Sequence, residues 1–89
     1  MQRDPNRPVV GIDVGKHVLD VHVDLLDQSW SVKNDAAGLT ELINKLRALD
    51  AQLVVLEATG RYHRLLAATL LENKIPVAVA NPQQTRAHA

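Results

Sequence analysis

Cysteine is absent from the 89 residues, so neither a disulfide framework nor a thiolate metal site is available, and a cytoplasmic location fits that absence. Aromatic residues are nearly absent too: one Trp, one Tyr and no Phe leave no stacking platform for single-stranded nucleic acid. No window approaches the roughly 18 apolar residues of a membrane span, which reads as a soluble chain with no membrane partner. Charge of either sign is not in excess. Ten Lys and Arg offset ten Asp and Glu, so the chain has no general basic field, and any nucleic acid must be held by a local site or by another domain. Residues 1–8 are polar and lack the apolar core of a signal peptide, so they read as a short flexible leader before a domain spanning 9–89.

What is present is the composition of a folded globular domain, 46% hydrophobic and 22% charged with few Gly and Pro. A chain of this length buries only about 60% of the surface its unfolded form exposes, so its stability is marginal unless a partner covers something. Val9 to Val14 is a nearly continuous apolar run, the pattern of a central strand buried on both faces. After a turn at Gly15-Lys16-His17 the pattern alternates. Leu19, Val21, Val23 and Leu25 share one face, with Asp20, His22 and Asp24 on the other, which predicts a half-buried strand. Leu26 to Gln28 turns the chain into a third strand around Trp30 and Val32.

Asn34-Asp35 then offers a helix cap, and Leu39, Leu42, Ile43, Leu46 and Leu49 recur at helical spacing, predicting a helix from about Ala36 to Leu49. Gln52 to Glu57 is another continuous apolar strand, and a helix between two such runs is the mark of a parallel crossover. A second helix is predicted from about Arg61 to Glu72, with Leu65, Leu66, Thr69 and Leu70 inward. Val77 to Ala80 follows as a fifth strand, and Asn81-Pro82 would open a third helix over 83–89 that the sequence cuts off. The order βββαβαβ gives an α/β fold of the ribonuclease-H (RuvC-like) type: a mixed five-stranded sheet of order 3-2-1-4-5, truncated after the fifth strand.

Asp13 interrupts an apolar strand, and Glu57 ends the strand expected beside it. Neighbouring strands run about 4.8 Å apart, so two carboxylates at equal height can share one cation. Close carboxylates repel and resist burial, and Mg²⁺ or Mn²⁺ with hard oxygen ligands removes both penalties. Taken singly, Asp13 or Glu57 has a less favoured reading as a turn residue at a strand end; their joint placement at the carboxyl ends of adjacent strands favours metal binding. Thr59 and Gly60 precede a helix start whose free N–H groups suit a phosphate, with Arg61 and Arg64 adding charge, although a plain helix cap with solvated arginines reads as well. Tyr62 either packs under the turn, the commoner fate of a lone Tyr there, or faces a substrate. Lys16 meets a phosphate or is merely solvated. His17, His22, His63 and His88 lack zinc-site spacing and read as surface residues. Asp20 and Asp24 read as a solvated or helix-contacting face, away from the end where Asp13 points.

Gly11-Ile12-Asp13-Val14-Gly15-Lys16, Leu19-Asp20-Val21, Asn34-Asp35 with Gly38-Leu39, Glu57-Ala58-Thr59-Gly60 with Tyr62, and Val79 with Asn81-Pro82 fall in an order that resembles the amino-terminal RuvC-like domain of DEDD insertion-sequence transposases. That group includes pilin-gene invertases and recombinases guided by a bridge RNA. The resemblance implies that Asp13 and Glu57 are the first two members of a D-E-D-D tetrad, with Mg²⁺ or Mn²⁺ as cofactor and DNA as partner, joined in one branch by a guide RNA. It also implies that a D-x-x-D pair and a serine-bearing domain of the whole protein lie beyond these residues, so the 89 residues alone should not cut or join DNA. Arg61 stands where the family often has Gly.

Two other classes fit parts of the sequence. Asp13-Val14-Gly15 suits the phosphate loop of an actin or sugar-kinase type nucleotide-binding domain, but the segment Glu57 to Tyr62 does not. Apolar sheet surface left uncovered by a truncated third helix would instead favour a homo-oligomeric assembly module.

Overall fold

The computed structural model describes residues 5–57 and 60–80. Three antiparallel strands come first: β1 (Val9–Val14), β2 (Val18–Val23) and β3 (Gln28–Lys33). Helix α1 (Ala36–Leu49) crosses to β4 (Leu53–Glu57), and α2 (Arg64–Glu72) crosses to β5 (Val77–Ala80). β1, β4 and β5 run parallel, and the sheet order is β3-β2-β1-β4-β5, as the sequence pattern predicts.

One face of this sheet is a continuous apolar layer. Val10 and Ile12 of β1, Leu19, Val21 and Val23 of β2, Val32 of β3, and Val54 and Leu56 of β4 are all buried, and the pairing register puts them on one side. Leu39, Leu42, Ile43 and Leu46 of α1 and Leu66 and Leu70 of α2 close that layer from above. Each such side chain contributes about 1.5–3 kcal/mol of burial. The opposite face has no covering element among the described residues. β1 is therefore buried on one face rather than two: Val9 and Gly11 are half-buried and Asp13 is exposed. A continuous apolar run cannot reveal this, because Val9 and Gly11 sit mid-sheet on the open side.

α1 begins where expected because the Asp35 carboxylate accepts a hydrogen bond from Gly38 N at 2.8 Å. It ends at Asp50, which takes the left-handed conformation with φ 54° and donates its N–H back to Arg47 O. Trp30 on edge strand β3 packs beneath α1, and the Lys45 ammonium lies 4.9 Å from its ring centre.

Three boundaries differ from the sequence pattern. Leu25 is not on the buried face of β2 but is 48% exposed in the turn that follows Val23. α2 starts at Arg64 rather than Arg61, because Gly60 adopts φ 78° and residues 61–63 form a turn closed by Arg64 N donating to Arg61 O. With that short helix, Leu66 and Leu70 face the sheet, while Leu65, one step round the helix, is 55% exposed and Thr69 half-buried. The leader is tied down at its inner end: the Arg7 guanidinium bonds Asp50 and Ala51 O, and Gln52 N–H donates to Pro8 O. The expected third helix over 83–89 lies outside the described residues.

Candidate functional site

Asp13 and Glu57 are direct partners in the parallel β1–β4 ladder. Because paired residues project to the same side, both carboxylates stand on the open face, with backbones about 4.8 Å apart. The core residues Ile12 and Leu56 immediately before them point the other way and fix the facing of each strand. A slip of one residue would bury both acids, and the loss of apolar burial forbids it.

Both side chains are exposed. The burial penalty expected for them is thus absent, and only their mutual repulsion, screened by water, remains. Among the described residues neither forms a hydrogen bond or ion pair, which leaves their oxygen atoms open to an external cation. As hard oxygen donors on exposed side chains they fit a divalent ion that retains several waters. They are too few to enclose one: among the described residues no group of three His, Asp or Glu side chains converges on a point.

Asp20 corrects the sequence reading. It is the antiparallel partner of Asp13, directly across the β1–β2 ladder, and not at the far end of the sheet. The open face carries a row that runs Ser31, Asp20, Asp13, Glu57, Ala80 across all five strands. The Asp20 carboxylate is engaged by Ser31 Oγ at 2.6 Å, on the side away from Asp13. A signal for this was available, since the tight turn closed by Gly15 N donating to Val18 O makes β1 and β2 residues equidistant from Lys16-His17 partners. Asp24 does lie at the other end, where its Oδ1 accepts from Val9 N at 2.9 Å and pins the start of β1.

Lys16 is exposed on the β1–β2 turn and lines one shallow depression with Asp13 and Asp20. Arg61 and Arg64 are exposed beyond β4, and among the described residues none of these three cations forms an ion pair. Gly60 stands four positions ahead of α2 instead of at its first turn, so the backbone donors expected of it do not belong to the helix end. Thr59 lies outside the described residues. Tyr62 is 45% exposed in the turn, not packed under it. His17 and His22 are exposed as expected, whereas His63 at the head of α2 is half-buried, its Nδ1 enclosed and without a hydrogen-bond partner among the described residues. His88 lies outside the described residues.

Asn34, expected with Asp35 only as a helix cap and as part of a family motif, has a further role: its Nδ2 donates to Gly15 O at 2.9 Å and to Tyr62 O at 3.2 Å. Nothing in local spacing marks this bridging contact, because both partners are distant in the chain.

This sheet, with two acidic side chains at the carboxyl ends of its paired central strands, defines a RuvC-like fold of the ribonuclease-H class. Twelve solved chains match it, among them T. thermophilus RuvC in complex with a Holliday junction substrate, at a TM-score of 0.61 and 19% identity over 88% of this chain. The chain spans 66% of that RuvC chain, just under two thirds. In sequence, the profile of the DEDD transposase family of the IS110 type matches residues 10–89, and the chain belongs to that family. A comparison with curated protein sequences returns no match.

Proposed function

We propose that residues 9–89 form the amino-terminal part of a DNA transposase or recombinase catalytic domain, in which Asp13 and Glu57 are two of four acidic ligands for Mg²⁺ or Mn²⁺. The observation that carries this reading is their direct pairing on the open face of a RuvC-like sheet, in a chain of a transposase family. When bound, such an ion supplies Lewis-acid activation and charge neutralisation for phosphodiester cleavage. The chain's own part is to hold two carboxylate oxygens toward one point and to keep them free of competing protein donors. Lys16, Arg61 and Arg64, beside the same strand ends, carry the positive charge that DNA phosphates require, and Tyr62 and Gly60 form the exposed turn between them.

Two acidic ligands are fewer than the three or so that two-ion chemistry usually takes, so the 89 residues alone should bind a cation weakly and cleave nothing. Calorimetry with Mn²⁺ tests the site: the heat of binding should be present in the unaltered chain and lost in both Asp13→Ala and Glu57→Ala. Equal heats from all three proteins would refute the assignment, and metal-dependent DNA cleavage by the chain that Glu57→Ala abolishes would refute its inactivity. Transposase membership gives no support to the nucleotide-binding alternative.

A further inference from the structure

Asp13 stands next to the end of β1 and Glu57 at the end of β4; the turn at Lys16-His17 follows the one strand, and the exposed turn that starts at Gly60 precedes α2. Asp13 and Glu57 are the last pair of the β1–β4 ladder, so no ladder bond between these two strands lies beyond them, although β1 stays paired to β2 through Val14 and Leu19. One side chain joins the two turns. The Asn34 amide donates to Gly15 O, two residues after Asp13, and to Tyr62 O, five residues after Glu57. Both acceptors are carbonyl oxygens, so only the NH₂ of the carboxamide can face them, and both of its N–H groups are used. Among the described residues this is the sole hydrogen bond that reaches the 60–63 turn from a distant part of the chain.

Asn34 itself stands on a rigid mount. Its backbone N–H donates to His17 O at 2.9 Å, continuing the β2–β3 pairing past Lys33. On its other side Asp35 caps α1, and Gly38 lies so close to Lys33 O that an added Cβ would be 1.9 Å from it. The amide is therefore presented from a point fixed by β2, β3 and α1 together.

We infer that Asn34 is a positioning residue that latches the turn after β4 to the turn after β1 and so holds the two carboxylate-bearing strand ends together. The inference rests on the metal reading of Asp13 and Glu57 for its functional consequence, but the latch itself is read independently. Asn34→Asp keeps the shape and removes both donors, setting a carboxylate against two carbonyls. The added negative charge lies just before α1, where the helix dipole favours it, so α1 is not weakened by the change. Asn34→Ala removes the same donors without adding charge.

Amide hydrogen exchange without metal, followed at residues 61–64, should quicken about tenfold in both variants while α1 stays protected, which is the loss of roughly one hydrogen bond. Unchanged exchange at these residues, or a change in Asn34→Asp only, would overturn the latch. Mn²⁺ titration should then show affinity lowered roughly tenfold in both variants, the scale of outer-shell ligand supports. Affinity equal to that of the unaltered chain would overturn the positioning role. If the unaltered chain and Asp13→Ala bind Mn²⁺ alike, the metal reading fails, while the exchange measurement still decides the latch.

Discussion

A single hydrogen atom where a methyl group would normally improve a helix decides how α1 meets the sheet. Gly38 lies in the first turn of α1, and Ala in a helix is usually favoured over Gly by about 1 kcal/mol. Here the sign reverses, because a Cβ would fall 1.9 Å from Lys33 O and 2.7 Å from its carbonyl carbon. Backbone, not a yielding side-chain tip, is in the way, so α1 or the end of β3 must move. Gly38→Ala should therefore destabilise the chain by roughly 1–3 kcal/mol, the range for overpacked sites. Asp35→Ala, which only removes the cap on Gly38 N, should cost about 1 kcal/mol. Urea unfolding of both variants checks the order, and a Gly38→Ala protein as stable as the parent would show that the close approach is not enforced.

At the scale of elements, the two helices hold the sheet unequally. α1 brings four large buried side chains to the core and α2 brings two, Leu66 and Leu70, both fully enclosed. Truncating Leu66 to Ala should cost about 2–5 kcal/mol, whereas Leu65→Ala should lie within about 0.5 kcal/mol of the parent. Thermal unfolding of the pair separates the observed facing of α2 from the stripe expected of the sequence, in which Leu65 also faces inward. This is also where the sequence stops being legible. Strand order and α1 could be read because the apolar periods of β2 and α1 are long enough to set their phase, and the Asp35 cap gives α1 its start. α2 could not be phased, since four of its nine residues are Leu and they fit more than one stripe. The Asp13–Glu57 pair was legible from strand ends alone. Asp20 depended on the length of a turn, and the Asn34 latch on contacts between residues far apart in sequence, which no local pattern encodes.

For the molecule as a whole, the relevant quantity is charge distribution, because total charge is balanced at ten basic and ten acidic residues. The open face presents Asp13, Asp20 and Glu57 in a row, which repels a phosphate backbone, while Lys16, Arg61 and Arg64 lie around its strand ends. DNA held by those three cations would release counterions to match, giving log affinity against log salt a slope of about −2.7. Raising salt from about 50 to about 200 mM would then weaken binding roughly fortyfold. Removing one cation should flatten the slope by about 0.9, so the triple change of Lys16, Arg61 and Arg64 to Ala should leave almost none. Mg²⁺ at matched ionic strength should tighten binding in the parent chain and not in Asp13→Ala, because only the former offers a paired site that a divalent ion can neutralise. Fluorescence anisotropy with a short labelled duplex measures both effects. A slope unaltered by the triple change would place the DNA contact elsewhere, and equal Mg²⁺ responses would separate DNA binding from the carboxylate pair.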